Sequence, residues 1–209
     1  MIDLPTTFEA ATTALQDTEL SSACQEAIEQ LAEAGYEVHH GLSEDYAAQI
    51  AVMAQEPSIK EYCPKDSSER FADKLSTEKW LAKKRAAFLL LKKSDGGHLE
   101  LAGYGWSGAG SSQHAPGGET TFAIRIGNAV QGQGLATPFS KLVVFGSAEI
   151  YGLKNFWLET WASNGGAVHV YQKLGFVQVA EVESMRPTAD GKQVAETRLF
   201  MTLDNELLP

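Results

Sequence analysis

Between two apolar stretches of this chain stands the hexapeptide Gln131-Gly132-Gln133-Gly134-Leu135-Ala136, and it dictates more of the architecture than any other segment. Before it, Thr120 to Ile126 reads as a strand; after it, a helix is expected from about Leu135 to Tyr151. Where a strand turns into a helix, the first helical N–H groups lack intrahelical partners, and the helix dipole puts roughly +0.5 charge there. Glycines let a phosphate approach the backbone without a Cβ in the way, so a pyrophosphate suits the turn. A P-loop would need Lys and then Ser or Thr after its last glycine, but Gly132 is succeeded by Gln133 and Gly134. A dinucleotide fingerprint would need a third small residue where Thr137 stands, and an acidic strand end about 20 residues later. Neither is present.

The rest of the chain fits around that unit. Leu20, Cys24, Ala27, Ile28 and Leu31 recur at helical spacing and Gly35 supplies a stop, so residues 1–35 read as an N-terminal helical extension and 36–209 as the main domain. An amphipathic helix of this kind packs on its own domain; a homodimer interface is its alternative use. A short strand, Tyr36 to His40, leads to a helix that Ser43 would cap, running to about Gln55. Residues 56–84 read as a proline-containing turn followed by polar helical segments. Ala86 to Lys93 and Leu99 to Trp106, separated by Asp95-Gly96-Gly97, form an expected hairpin, and Gly108 to Gly118 a loop. Beyond the long helix come a strand (Asn155 to Trp161), a helix (Gly165 to Leu174), a strand (Phe176 to Val182), a polar loop (Pro187 to Gly191) and a closing strand in Glu196 to Leu203. Strands interleaved with helices predict an α/β sheet with at least one right-handed crossover.

Two motifs give a specific likeness. Gln131, Gly134 and Ala136 occupy the defining positions of the Gln/Arg-x-x-Gly-x-Gly/Ala signature of GNAT acetyltransferases. Some way downstream, Leu158-Glu159-Thr160-Trp161-Ala162-Ser163-Asn164, then Ala167, Tyr171 and Lys173-Leu174-Gly175-Phe176, resemble that superfamily's second block. Their order, with one helix and one strand between them, makes the chain similar to GNAT N-acetyltransferases from Thr120 to Val182. Pro138 departs from the pattern. It predicts a late or locally distorted helix start, because proline is tolerated only in the first helical turn.

The resemblance implies a mixed, mostly antiparallel sheet flanked by helices, in which one parallel strand pair splays apart. It implies acetyl-CoA as co-substrate and no metal. The pantetheine arm would pair with Ile124, Arg125 and Ile126 as an added strand does. The pyrophosphate would rest on the backbone of Gly132, Gln133, Gly134, Leu135, Ala136 and Thr137, beside Gln131. Tyr171 would protonate the leaving thiolate, since a phenol holds its proton at neutral pH. Glu159 stands where some members carry the general base; a lone carboxylate among aromatic neighbours would have the raised pKa that suits this. Asn164 precedes the second helix as a cap and would also touch the cofactor arm. The activity implied is transfer of acetyl to a primary amine in a ternary complex. A silent acyl-CoA sensor, or a nucleotide-binding protein sharing only the glycine turn, are the competing readings.

Charge narrows the acceptor. Seventeen basic residues against 27 acidic give a net charge of −10, which repels a polyanionic backbone and argues against nucleic acid. A small cationic amine or a peptide amino terminus is the expected partner. The start, Met1 to Pro5, lacks the basic and apolar regions of a signal peptide, and no apolar run is long enough to cross a bilayer. A cytoplasmic protein with both Cys24 and Cys63 reduced is expected, with no membrane partner. Adjacent His39 and His40 face opposite ways on a strand and make a poor metal pair; Cys63 has no histidine near it in sequence to serve as a nucleophile's base.

Overall fold

The computed structural model describes residues 3–5, 12–41, 43–94, 96–188 and 192–209. One eight-stranded sheet organises them: β1 (Thr13–Ala14), β2 (Tyr36–His40), β3 (Arg85–Lys93), β4 (Leu99–Ala109), β5 (Thr120–Ile126), β6 (Phe156–Trp161), β7 (Val177–Pro187) and β8 (Gln193–Thr202). Their spatial order is β1-β2-β3-β4-β5-β6-β8-β7, antiparallel everywhere except between β5 and β6. The helices are α1 (Ser22–Glu33), α2 (Glu44–Met53), α3 (Pro57–Tyr62), α4 (Lys74–Leu81), α5 (Ala136–Tyr151) and α6 (Gly165–Lys173). This is the mixed, mostly antiparallel α/β sheet expected from the motifs.

The parallel pair determines where the sheet opens. β5 is in register with β4 from Thr120 to Ile126, and β6 with β8 from Trp157 to Trp161. Against each other they match only at Thr120–Phe156 and Thr121–Trp157. Each strand therefore stays with its outer neighbour while the two inner edges part. The backbone edge of β5 from Phe122 to Ile126 has no strand beside it among the described residues.

Helices cover both faces. On one, α5 buries Phe139, Leu142 and Val143 against Phe88, Leu90 and Phe122, with α1 and α6 packed on the same cluster. Gly105 in β4 marks the closest approach: a Cβ there would lie 2.6 Å from Val143 Cγ2. On the other face α2 and α4 close over Leu89, Leu91, Tyr104 and Trp106. The N-terminal helix is thus part of the main core: Cys24, Ala27 and Leu31 spend its apolar face inside the chain. Its start is held to α5 by Glu149, which accepts from Ser21 N and Oγ, both at 2.7 Å. Gly35 ends it with φ +86°.

Several expectations need correction. Pro138 neither delays nor distorts α5. It is the third residue of a helix beginning at Ala136, within the turn whose N–H groups have no partner in any case. Ser43 holds the capping position before α2, but its side chain makes no cap bond. The strand expected to end at Val182 runs on: β7 reaches Pro187, the first residue of the expected loop, which pairs with Gln193 of β8. That arm is polar because most of its side chains reach solvent, so hydropathy did not reveal the strand. The polar residues at 56–84 include a π-helical turn, Asp66–Arg70, between α3 and α4. Residues Met1 and Ile2, the hairpin residue Asp95, and residues 189–191 of the expected loop lie outside the described part of the chain. No helix among the described residues is long and apolar enough to cross a membrane.

Candidate active site

Where β5 and β6 part, a cleft of about 620 Å³ opens. Its walls bring together residues from both motifs. Ile124, Arg125 and Ile126 line it from β5, Gln131 and Ala136 from the glycine turn. Glu159 lines it from β6, and Asn164 and Tyr171 from α6 and its cap. Gly132, Gln133, Gly134 and Leu135 are not among its lining, and Thr137 faces a separate hollow of about 220 Å³ with Lys141 and Lys173.

The free edge of β5 has defined polarity. Gly127 N donates to Ala102 O of β4 at 2.9 Å, so strand alternation turns the peptide groups of Ile126 and Ile124 the other way, into the cleft. Their carbonyls already have donors: Gln131 Nε2 reaches Ile126 O at 2.9 Å, and Arg125 Nη1 reaches Ile124 O at 2.6 Å. Their N–H groups are left facing the gap. Gln131 Nε2 also lies 3.2 Å from Asn128 Oδ1 and 3.1 Å from Ser58 Oγ, which ties the turn to α3.

The turn itself is exposed and open. Gly132 and Gly134 have φ of +78° and +79°, a region L side chains rarely enter, and no atom lies within 4 Å of where a Cβ would stand. Leu135 is buried beneath them as an anchor. Phe139 N donates to Leu135 O at 3.1 Å, so the amides of Ala136 and Thr137 precede the helical ladder and are unspent within it. Gln133 turns the opposite way, where its Oε1 accepts from the Tyr36 hydroxyl at 3.0 Å.

Tyr171 stands on the α6 side of the cleft, its ring edge-on to Phe122 at 5.7 Å. Its hydroxyl has no hydrogen-bond partner among the described residues. Burial pushes its pKa up to about 12, with the positive charge of Arg125 working in the opposite direction. Asn164 caps α6, its Oδ1 accepting from Ala167 N at 3.4 Å, which leaves the amide nitrogen unspent.

Glu159 has other surroundings than a lone carboxylate among aromatics. Its side chain is 45% exposed and paired with Arg198, Nη1 to Oε1 3.1 Å, while the Arg198 guanidinium lies 4.2 Å from the Trp161 ring centre. Trp157 and Trp161, the aromatic neighbours two residues to either side, are buried, but the glutamate between them reaches solvent.

A cluster missed by sequence reasoning lies at the far wall. Asp66, 0% exposed in the π-turn, accepts from Arg125 Nε at 2.8 Å and Arg70 Nη1 at 3.2 Å, one oxygen each. Burial is the largest single influence on Arg125 and opposes its charge, but Asp66, joined by Cys63, Tyr104 and Tyr171, raises the guanidinium's pKa overall. Cys63 borders the cluster with its thiol pushed up by burial, the reverse of what a nucleophile needs. Nothing local in Asp66-Ser67-Ser68-Glu69-Arg70 signals this role; only the π-helical turn, a geometry frequent at functional sites, would have done so. His39 bonds Thr12 and His40 bonds Tyr151, facing apart. Among the described residues no group of three or more His, Cys, Asp or Glu is arranged to hold a metal.

A family model describing the acetyltransferase (GNAT) domain matches residues 40–177. By sequence alone, no curated protein matches the chain. Among solved structures, it is similar to the ribosomal-protein-S5-alanine acetyltransferase of Vibrio fischeri, with TM-score 0.64 and 15% identity over 82% of this chain and 94% of that one. It is similar to the spermidine N-acetyltransferase of Vibrio cholerae, solved with CoA and spermine, with TM-score 0.63 and 19% identity over 83% and 99%. A third likeness is to yncA of Salmonella typhimurium, solved with its cofactor acetyl-CoA: TM-score 0.59, 15% identity, 81% and 94% covered.

Proposed function

Since the chain belongs to the GNAT acetyltransferase family, we propose that it transfers an acetyl group from acetyl-CoA directly to a primary amine held in the same cleft. The observation that carries this reading is the parting of β5 and β6 after two residue pairs, with the Tyr171 phenol at the wall of the gap. Similar structures that hold CoA or acetyl-CoA add support for the co-substrate.

The residues fit such a guest. The N–H groups of Ile124 and Ile126 present a strand edge to the amides of a pantetheine arm, as β-augmentation requires. The amides of residues 132–137, released by two left-handed glycines, suit a pyrophosphate. Asn164 Nδ2 is free to meet the arm from the α6 side.

The thioester supplies an activated acetyl group; the chain supplies position and protons. Binding both partners in one cleft makes attack effectively unimolecular. A nitrogen–carbon bond forms as the carbon–sulfur bond breaks, one proton leaves the nitrogen and one reaches the sulfur. Tyr171 donates to the sulfur, and its unpartnered hydroxyl leaves that proton uncommitted. Glu159, open to solvent, accepts the amine's proton through water. With both thiols free, we assign the reaction to the cytoplasm.

Titration with acetyl-CoA and with ATP, followed by a thiol-release assay over an amine panel, tests the reading. Acetyl-CoA should bind and release thiol when an amine is added, and Glu159→Gln should shift the pH profile. Binding without release for any amine would favour an acyl-CoA sensor. Binding of ATP alone would favour a nucleotide-binding protein.

A further inference from the structure

The acidity of the chain does not extend into its cleft. Of the charged side chains lining it, Lys65, Arg70, Arg125 and Arg198 are cationic and only Glu159 is anionic. Glu159 and Arg198 neutralise each other. Behind the wall, the single carboxylate of Asp66 is divided between Arg70 and Arg125, which leaves one positive charge uncompensated. Lys65 adds another, having no ion pair among the described residues.

Donors without acceptors accompany that charge. Trp106 lines the cleft and is only 4% exposed, yet its indole N–H has no hydrogen-bond partner among the described residues. The Arg70 guanidinium lies 5.9 Å from the Trp106 ring centre, and that of Arg85 lies 5.0 Å from it. Arg85 also lacks a carboxylate partner among the described residues, and its buried Nε is unpaired. Buried donors left in this state call for an acceptor, supplied by water, an ion or a bound group. A planar guanidinium matches a carboxylate with two parallel bonds, which an ammonium group cannot return. A polycation, by contrast, would meet like charge here.

Resting on the acetyltransferase reading above, we infer that the acceptor is a small amino carboxylate, such as a free α-amino acid, whose carboxylate is held by Arg70 and Lys65 while its amine faces the thioester. Arg125, which shares Asp66 with Arg70, lines the same cleft as Tyr171, as do Arg70 and Lys65, so the anion site borders the reacting centre. The products are an N-acetyl amino acid and the free thiol.

The test compares wild-type kcat/KM, at saturating acetyl-CoA, for amino acids, their carboxamides and spermine. A carboxamide carries a less basic amine and is intrinsically the readier nucleophile at neutral pH, so preference for the acid reports recognition. Amino acids should exceed their amides by at least about tenfold, the loss expected when a charged hydrogen-bonding partner is removed. Lys65→Gln and Arg70→Gln should each erase most of that preference through KM, with the calorimetric affinity for acetyl-CoA unchanged. Equal or better turnover of amides or spermine overturns the inference alone, and so does acetyl-CoA binding with no turnover of any acceptor. Variants that weaken acetyl-CoA binding while keeping the preference also overturn it, since the cluster would then serve the cofactor. Failure of the wild type to bind acetyl-CoA removes the underlying reading as well.

Discussion

Replacing Asp66 by Asn changes one atom and should cost this protein much of its stability. Asp66 is fully buried, and each of its oxygens accepts from a different guanidinium. The two partners are not equivalent. Arg70 is 29% exposed and can turn to water, whereas Arg125 is 12% exposed and fixed on Ile124 O. The penalty therefore comes mostly from Arg125, stranded as a buried charge. Breaking a buried pair from one side costs about 3–5 kcal/mol, while an exposed pair contributes about 0–1 kcal/mol. In a domain of this size that corresponds to a fall in Tm of roughly 6–20 °C. Urea unfolding followed by tryptophan fluorescence measures it, with Arg70→Gln as the comparison expected to lose about 1 kcal/mol. The double variant Asp66→Leu, Arg125→Met should recover most of the loss, because no charge remains to be buried. A loss below about 1 kcal/mol for Asp66→Asn, or a double variant no better than the single, refutes the reasoning.

Three further outcomes are expected at the site. Tyr171→Phe should lower kcat by about 10²-fold, the low end for a general acid, with acetyl-CoA affinity nearly intact; unchanged turnover rejects the acid role. Because burial raises the Tyr171 pKa to about 12, kcat should show no falling limb up to about pH 10. By the same linkage, the stability contributed by the buried neutral phenol is complete below about pH 10 and is lost as pH climbs through about 12. A falling limb with a midpoint near about pH 9 that disappears in Tyr171→Phe would contradict this. Gly134→Ala meets no steric neighbour but must hold φ +79°, so it should cost about 1–2 kcal/mol in denaturant unfolding and weaken acetyl-CoA in calorimetry. Wild-type values for both would show that the turn tolerates a side chain.

What could be read from the sequence was local. The glycines at 132 and 134 permit a tight turn, and the residues after them have helical periodicity, so the strand–turn–helix unit was readable without tertiary information. Asn164 before Gly165 announced a cap, and a cap is there. Glu159 shows where local reading ends: its strand and its aromatic neighbours were legible, but its partner Arg198 comes from β8. Asp66 is the stronger case. An aspartate among serines in a polar stretch looks solvated, and only the long-range placement of Arg125 on β5 makes it a buried acceptor. The strand extending β7 to Pro187 was hidden because register with β8, rather than hydropathy, holds it. Acidic composition pointed to a cationic acceptor, whereas the charges that line the cleft are mainly positive. Net charge averages over a surface that the site samples unevenly.

A crystal structure of the protein with CoA tests the central claim most directly. The paired phosphates should sit on the amides of residues 132–137 and the sulfur within hydrogen-bonding reach of the Tyr171 hydroxyl, about 3–4 Å for a thiol. A sulfur more than about 6 Å from that oxygen, or phosphates seated away from the glycine turn, would contradict it.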